Sequence, residues 1–445
     1  MKRLIDYYLQ DWKRKQDRKA LLLRGARQVG KTFSVRALGE SYDELVEINL
    51  ELNPEYAAVF ELNLDPHRIL RELRLMTGKR LAPGTSLLFV DEVQQQPLAV
   101  SALRYFYEKM PEMHVIAAGS LVEFALEQVG VPVGRVASLH MYPMSFLEYL
   151  AASGNIPMAE GLLDSEAPFS VSDSVHERLL RLVGEFLVLG GLPEVVATWI
   201  EHQDIERCGE ILDVIAAACR RDFAKYAKRH QIKYVDLVFN EVPTLAGRKF
   251  KYNALPGTWK ARELAPALEL LRKASVVYKV THSSGNGIPL KAESNPNRFK
   301  ALFLDVGLAQ RIMGADVRPW LLNPAANICN AGAVTEAFVG QELLAYGRPW
   351  AKQELYYWHR EARSSNAEVD YLLPLDGVIV PVDVKSGASG RLRSLRVFLD
   401  EKRGRSPYGI RFCGQPASVH GDLQSHAIYA VPHVLRREIP TDWMR

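Results

Sequence analysis

Near its start the sequence reads Gly25-Ala26-Arg27-Gln28-Val29-Gly30-Lys31-Thr32, which fits G-x-x-x-x-G-K-[ST], with Phe33 following. The run lies between the apolar stretch ALLLR and a helical pattern that starts at Lys31. Glycine tolerates the backbone angles that turn successive N–H groups inward, and a helix N-terminus adds its dipole, so Gly25 to Phe33 are expected to cradle phosphates. Lys31 is placed to reach the β- and γ-phosphates of ATP, and Thr32 to hold Mg²⁺. A second apolar run, SLLFV, ends in Asp91-Glu92. At the carboxyl edge of a parallel sheet, Asp91 would hold the metal through its waters and Glu92 would position or deprotonate the attacking water. A third run, HVIAAG, ends in Ser120, placed to hydrogen-bond that water. Past one more helix comes Val133-Gly134-Arg135, where oligomeric ATPases present an arginine to the neighbouring subunit's γ-phosphate. A helix-capping surface arginine is the plainer alternative.

A second cluster lies late in the chain. Asp370 starts one extended run, and Asp383 and Lys385 alternate along the next, so the latter two share a face. The turn Leu375-Asp376-Gly377 would fold the runs into a hairpin and bring Asp370 beside Asp383, with Glu336 on the preceding helix as a third carboxylate. Acid, then acid-x-Lys, is the PD-(D/E)xK arrangement of restriction-type nucleases. There Glu336, Asp370 and Asp383 would bind a second Mg²⁺ or Mn²⁺, and Lys385 would activate water. Arg391, Arg393 and Arg396, with Lys402, Arg403 and Arg405 beyond, make the following helix basic, which suits DNA contact as well as a solvated face. A fold kept for binding, with these residues structural, remains the alternative.

These residues need elements to hold them. Residues 20 to about 150 alternate short apolar runs with helical patterns, implying a mostly parallel sheet covered on both faces. The segment 153–174 is rich in Ser, Gly, Pro and acids and reads as a linker or exposed insertion. From about 175 to 320 the pattern is mainly helical and ends in helix, short helix and hairpin, the order of a winged helix; a plain helical lid is the alternative. The last region returns to α/β, with IRFCG and HAIYAVP as late strands. A chain of 445 residues exceeds one ordinary core, and 48% apolar with 24% charged residues is average for a globular protein. No run is long and apolar enough for a membrane span, the charged amphipathic N-terminus is not a signal peptide, and four scattered cysteines form no CxxC pair. A cytoplasmic protein with no membrane partner is expected. The net charge of +4 permits a local DNA-binding patch without demanding one.

The succession GARQVGKT, LLFVDEVQ, AAGS, VGRV and LHMYPMSFLEYL resembles the prokaryotic AAA+ ATPases whose C-terminal half is called domain of unknown function 4143. Gly190-Gly191-Leu192-Pro193-Glu194, Phe303-Leu304-Asp305-Val306-Gly307-Leu308, Glu368-Val369-Asp370 and Val382-Asp383-Val384-Lys385 extend the likeness over nearly the whole chain. One departure is Asp383, where the family often has Glu. The resemblance implies a multidomain α/β chain: an AAA+ P-loop NTPase domain over 1–150, a linker and helical lid over 151–205, a winged-helix-like domain over 206–325, and a restriction-nuclease-like α/β domain over 326–445. The expected partners are DNA and further copies of the chain, a homo-oligomer and perhaps a hexameric ring if Arg135 acts in trans. Two function classes stay open. One is ATP-driven DNA processing, at branched or broken DNA, with a nuclease-like domain. The other is a nucleotide-switched DNA-binding or signalling protein whose nuclease fold is silent. A protein remodeller that uses the C-terminal domain as an adaptor is a third, weaker reading.

Overall fold

The computed structural model describes residues 1–130, 134–164, 169–362, 365–385 and 392–444. Five apolar runs form the first sheet: β1 (Ala20–Arg24), β2 (Glu44–Asn49), β3 (Ser86–Asp91), β4 (His114–Gly119) and β5 (Val136–His140). All pair in parallel in the order β2-β3-β4-β1-β5, and β3 and β4 are buried along their whole length. Continuous apolar strands of this kind require cover on both faces. Leu22, Leu88, Val90 and Ala117 meet the helices Pro66–Thr77 and Pro97–Lys109 on one side. Leu21, Leu23, Phe89 and Ile116 face the other, where they join the N-terminal helix Leu4–Arg14 and a core that runs on to the C-terminus.

Helices fill the middle of the chain. Between residues 153 and 174, expected as a linker, lies the helix Ile156–Asp164, whose Ala159, Leu162 and Leu163 are buried. The polar composition misled because the apolar residues occupy one face only, and the C-terminal His433 hydrogen-bonds there to the Leu162 carbonyl. The helix Asp173–Leu189 stops at Gly190, which has φ 73°. Two of the sequence signatures meet at this stop. Asp305 accepts from Gly191 N (2.6 Å) and caps its own helix at Leu308 N (2.9 Å), while Gly307 packs so closely on Leu189 that a Cβ would lie 2.4 Å from its backbone.

The second sheet has eight strands: β6 (Val277–Ser283), β7 (Ser294–Phe303), β8 (Leu355–Ala362), β9 (Ser365–Leu375), β10 (Val378–Val384), β11 (Gly409–Cys413), β12 (Ser418–His420) and β13 (Leu423–Ala427). Their order is β12-β13-β11-β10-β9-β8-β6-β7. The helices Ile232–Glu241 and Ala261–Lys273 and the antiparallel hairpin β6–β7 follow the order read as a winged helix. The hairpin is nevertheless built into the C-terminal sheet, because β6 pairs in parallel with β8. A boundary at 325/326 thus falls between strands of one sheet. HAIYAVP is a strand only to Ala427; a 3-10 turn and a short helix follow, where Pro432 cannot donate to a ladder.

One buried ion pair braces the first sheet from behind. Arg3 Nε lies 2.8 Å from Glu148 Oε1, with side chains 5% and 3% exposed. The same guanidinium donates to the carbonyls of Val29, in the phosphate loop, and Tyr142. Breaking a buried pair strands a charge and costs about 3–5 kcal/mol. Arg3→Ala should therefore lower the urea midpoint of the N-terminal transition substantially and Arg3→Lys less; an unchanged midpoint in Arg3→Ala would count against the brace.

Candidate functional site: a phosphate loop and a carboxylate centre

The phosphate loop leaves β1 at Arg24 and enters the helix Lys31–Gly39. Gln28 (φ 65°) and Gly30 (φ 97°) take left-handed angles, which glycine adopts without strain and glutamine rarely does. Gly25 could not be larger, since a Cβ there would lie 2.2 Å from the Met141 carbonyl oxygen. Lys31 Nζ donates to the carbonyls of Gly25 (3.0 Å) and Ala26 (2.7 Å). Burial lowers its ammonium to a pKa of about 8, partly offset by Glu92 and Asp91. Thr32 Oγ1 donates to Asp91 Oδ2 at 2.9 Å, so the two expected metal-handling groups are already adjacent.

Glu92 follows β3 with φ 51°, and its carboxylate accepts from Gln94 Nε2. Burial raises both Asp91 and Glu92 above the ordinary carboxylate range. Gly30, Lys31, Thr32, Asp91, Glu92 and Ser120 line one cleft of about 450 Å³, with Phe33 exposed at its mouth. These residues fit ATP and Mg²⁺: a loop with no room for a Cβ, a hydroxyl–carboxylate pair for the ion, and a buried lysine bonded only to carbonyls. MgATP held there would supply the phosphoanhydride, with the Glu92 carboxylate lining the same cleft.

Two contacts of the long helix Ile205–Tyr226 were not foreseen from the sequence. Arg27 forms an ion pair with Asp222, a buried residue of the long helix Ile205–Tyr226. From the same helix Lys225 reaches Glu51 at 2.7 Å. No local pattern marks Asp222, which lies 195 residues from its partner.

Arg135 lies elsewhere. β5 begins beside Ala20 at the start of β1, whereas the loop leaves the far end of β1 beside His140. The separation is a strand length of roughly 13 Å. Arg135 pairs instead with Glu108 at 3.1 Å. It does not serve its own chain's site in this arrangement.

The second cluster converges as its spacing implied. Asp376 (φ 47°) and Gly377 (φ 81°) make the tight turn between β9 and β10, and Val382 pairs with Tyr371, one step from Asp383 and Asp370. Lys385 Nζ is 2.9 Å from Asp383 Oδ1, and Val384 N donates to Asp370 Oδ2 at 2.9 Å. Arg391 lies outside the described residues, Arg393 and Arg396 are exposed, and Lys402 and Arg405 instead hold Asn286 of the β6–β7 loop.

At the centre stands a residue the sequence reading missed. Lys300 of β7 places Nζ 2.8 Å from Glu336, 2.7 Å from Glu368 and 3.2 Å from Asp370. The signal was a lone lysine in the otherwise apolar run Phe299-Lys300-Ala301-Leu302-Phe303. Burial pushes Glu336 to a pKa of about 8 and Asp383 to about 7, whereas Lys300 and Lys385 outweigh burial at Asp370 and hold it low. Among the described residues no group of three or more His, Cys, Asp or Glu is arranged for a metal ion. The expected set of Glu336, Asp370 and Asp383 around one Mg²⁺ or Mn²⁺ does not fit this arrangement as a whole, because an ammonium already lies between Glu336 and Asp370.

Residues 17–150 match the model of an AAA domain. This region is an AAA+ ATPase domain. Residues 180–318 match domain of unknown function 8612, and residues 331–429 match domain of unknown function 4143. The first of these includes β6 and β7. No curated protein matches the chain. Among solved structures, the Walker-type ATPase PABY2304 of Pyrococcus abyssi is 18% identical, with a TM-score of 0.44 over 69% of this chain and 94% of that one. PCH-2 of C. elegans is 12% identical, with a TM-score of 0.28 over 46% of this chain and 64% of that one. The ATPase assignment stands on the AAA match and the cleft's geometry. Among the described residues no helix is long and apolar enough to cross a membrane.

A positioned general base contributes about 10²–10⁴-fold in rate. Glu92→Gln should lower kcat by at least about 10²-fold while nucleotide still binds, and Lys31→Ala should abolish binding in a fluorescent-nucleotide titration. Wild-type turnover in Glu92→Gln would remove Glu92 from this role.

Proposed function

We propose that the protein is a DNA-binding AAA+ ATPase in which the nucleotide state of the phosphate loop is passed through the middle helices to a nuclease-like C-terminal domain. The Arg27–Asp222 ion pair carries this reading. A γ-phosphate arriving at the loop competes with Asp222 for the same guanidinium, so nucleotide binding alters what holds the helix Ile205–Tyr226. That helix leads into the helices and hairpin read as a winged helix. DNA as the partner is supported by exposed Arg393 and Arg396 on a helix that packs beside β9, with Ser394 accepting from Glu368 N. The PD-(D/E)xK reading is supported by the convergence of Asp370, Asp383 and Lys385 across the hairpin. Lys300 among the carboxylates favours the second form of this function, in which the C-terminal centre binds or positions DNA without cutting it.

A binding assay with linear, branched and single-stranded DNA, in the presence of ADP or a non-hydrolysable ATP analogue, tests the proposal. Affinity should differ between the two nucleotides by about tenfold or more, equivalent to about 1.4 kcal/mol of coupling. Asp222→Asn should shrink that difference, and Arg393→Glu with Arg396→Glu should weaken binding in both states. No DNA binding under any condition would sink the reading.

A partner copy is proposed to complete the ATP site through Arg135, which lies at the opposite end of the strands from its own loop. Mixing Arg135→Ala with Lys31→Ala should restore part of the turnover that each lacks alone; an active monomer in sedimentation would exclude this.

A further inference from the structure

The C-terminal carboxylate centre contains a cation of its own. An ammonium has three N–H donors, and Lys300 Nζ has three carboxylates within hydrogen-bond distance, on Glu336, Glu368 and Asp370. Its side chain is 3% exposed, and the Tyr357 ring lies 5.5 Å away. Burial alone would strip its charge, but Glu336, Asp370 and Glu368 outweigh burial and hold the proton firmly. The lysine is fixed by more than contact. Its strand pairs with β6 at Val280, and Lys300 also bridges to Lys249, so backbone hydrogen bonds hold the side chain's origin.

A divalent ion could not bridge Glu336 and Asp370 beside it. Mg²⁺ binds oxygen at about 2.0–2.1 Å and in near-octahedral geometry. On the oxygens of Glu336 and Asp370 it would sit almost on Nζ, with like charges in a dry, low-dielectric site. The two cations are alternatives.

We propose that Lys300 is the resident cation of the C-terminal centre, that it keeps divalent metal from Glu336 and Asp370, and that removing its ammonium turns this carboxylate cluster into a divalent-cation site. The inference rests on the reading of this centre as non-cleaving. Metal binding is measured without DNA or nucleotide, so its failure and a failure of DNA binding are separate results.

The test is a Mn²⁺ titration of the nucleotide-free full chain, followed by the electron paramagnetic resonance signal of unbound Mn²⁺. Wild type and Lys300→Arg should show no binding that depends on Asp370. Lys300→Met should gain one Mn²⁺ per chain, at least tenfold tighter than any wild-type binding, and adding Asp370→Asn should abolish that gain. Mn²⁺ should also raise the Tm of Lys300→Met and leave that of wild type unchanged. Wild-type Mn²⁺ binding that Asp370→Asn removes would overturn the proposal, as would a folded Lys300→Met that gains none. If Lys300→Met does not fold, Lys300→Gln takes its place under the same criteria, and the wild-type comparison still decides against exclusion if Asp370-dependent binding appears.

Discussion

The guanidinium of Arg3 is the contact on which much of this molecule's order depends. It holds the back of the phosphate loop through the Val29 carbonyl and ties it to Tyr142 and Glu148. Glu148 then accepts from Leu4 N and completes the capping box of its own helix at Ser145. The next backbone N–H, that of Phe146, is taken by Glu342, which burial raises to a pKa of about 8 and which sits on the same helix as Glu336. Each of these groups is buried and would be costly to leave unmet, so the arrangement holds only if all are met together. The loop and the carboxylate centre, far apart in sequence, are thereby linked by one series of buried hydrogen bonds.

The two centres use lysine in opposite ways. Lys31 is buried against backbone carbonyls, which are weak partners for a full charge, so an incoming phosphate is a better ligand than what it leaves. Lys300 is surrounded by carboxylates, and no neutral or singly charged group would improve on them. One lysine is therefore prepared to exchange partners and the other to keep them. Sequence motifs do not distinguish these cases, because the difference lies in which elements arrive from elsewhere in the chain.

The same point explains how much could be read in advance. The phosphate loop, the acidic pair after β3, the parallel sheet and the β9–β10 hairpin were legible because each depends on residues close in sequence or on strand periodicity. The structure brings Glu336, Asp370, Asp383 and Lys385 to one hairpin and helix, and adds a central cation from β7 that no local spacing marks. Arg3 and Asp222 escaped for the same reason, their partners lying 145 and 195 residues away. The segment 153–174 misled differently: its polar residues are those of a helix's exposed face, and the buried face needed only Ala159, Leu162 and Leu163. HAIYAVP has strand composition, but Pro432 lacks the N–H that a ladder requires.

The pairing of β6 with β8 bears on how this chain can have arisen. A C-terminal piece starting after residue 318 would lack β6 and β7, leaving the edge of β8 bare and three carboxylates without Lys300. A bare edge invites pairing with foreign strands, and an uncompensated acid cluster resists folding. The regions matched as two separate domains of unknown function thus share one eight-stranded sheet. Recombination that exchanged either region alone would have to supply a compatible hairpin and a lysine at the same register. The ATPase region has a sheet of its own, but one buried core joins it to the rest of the chain.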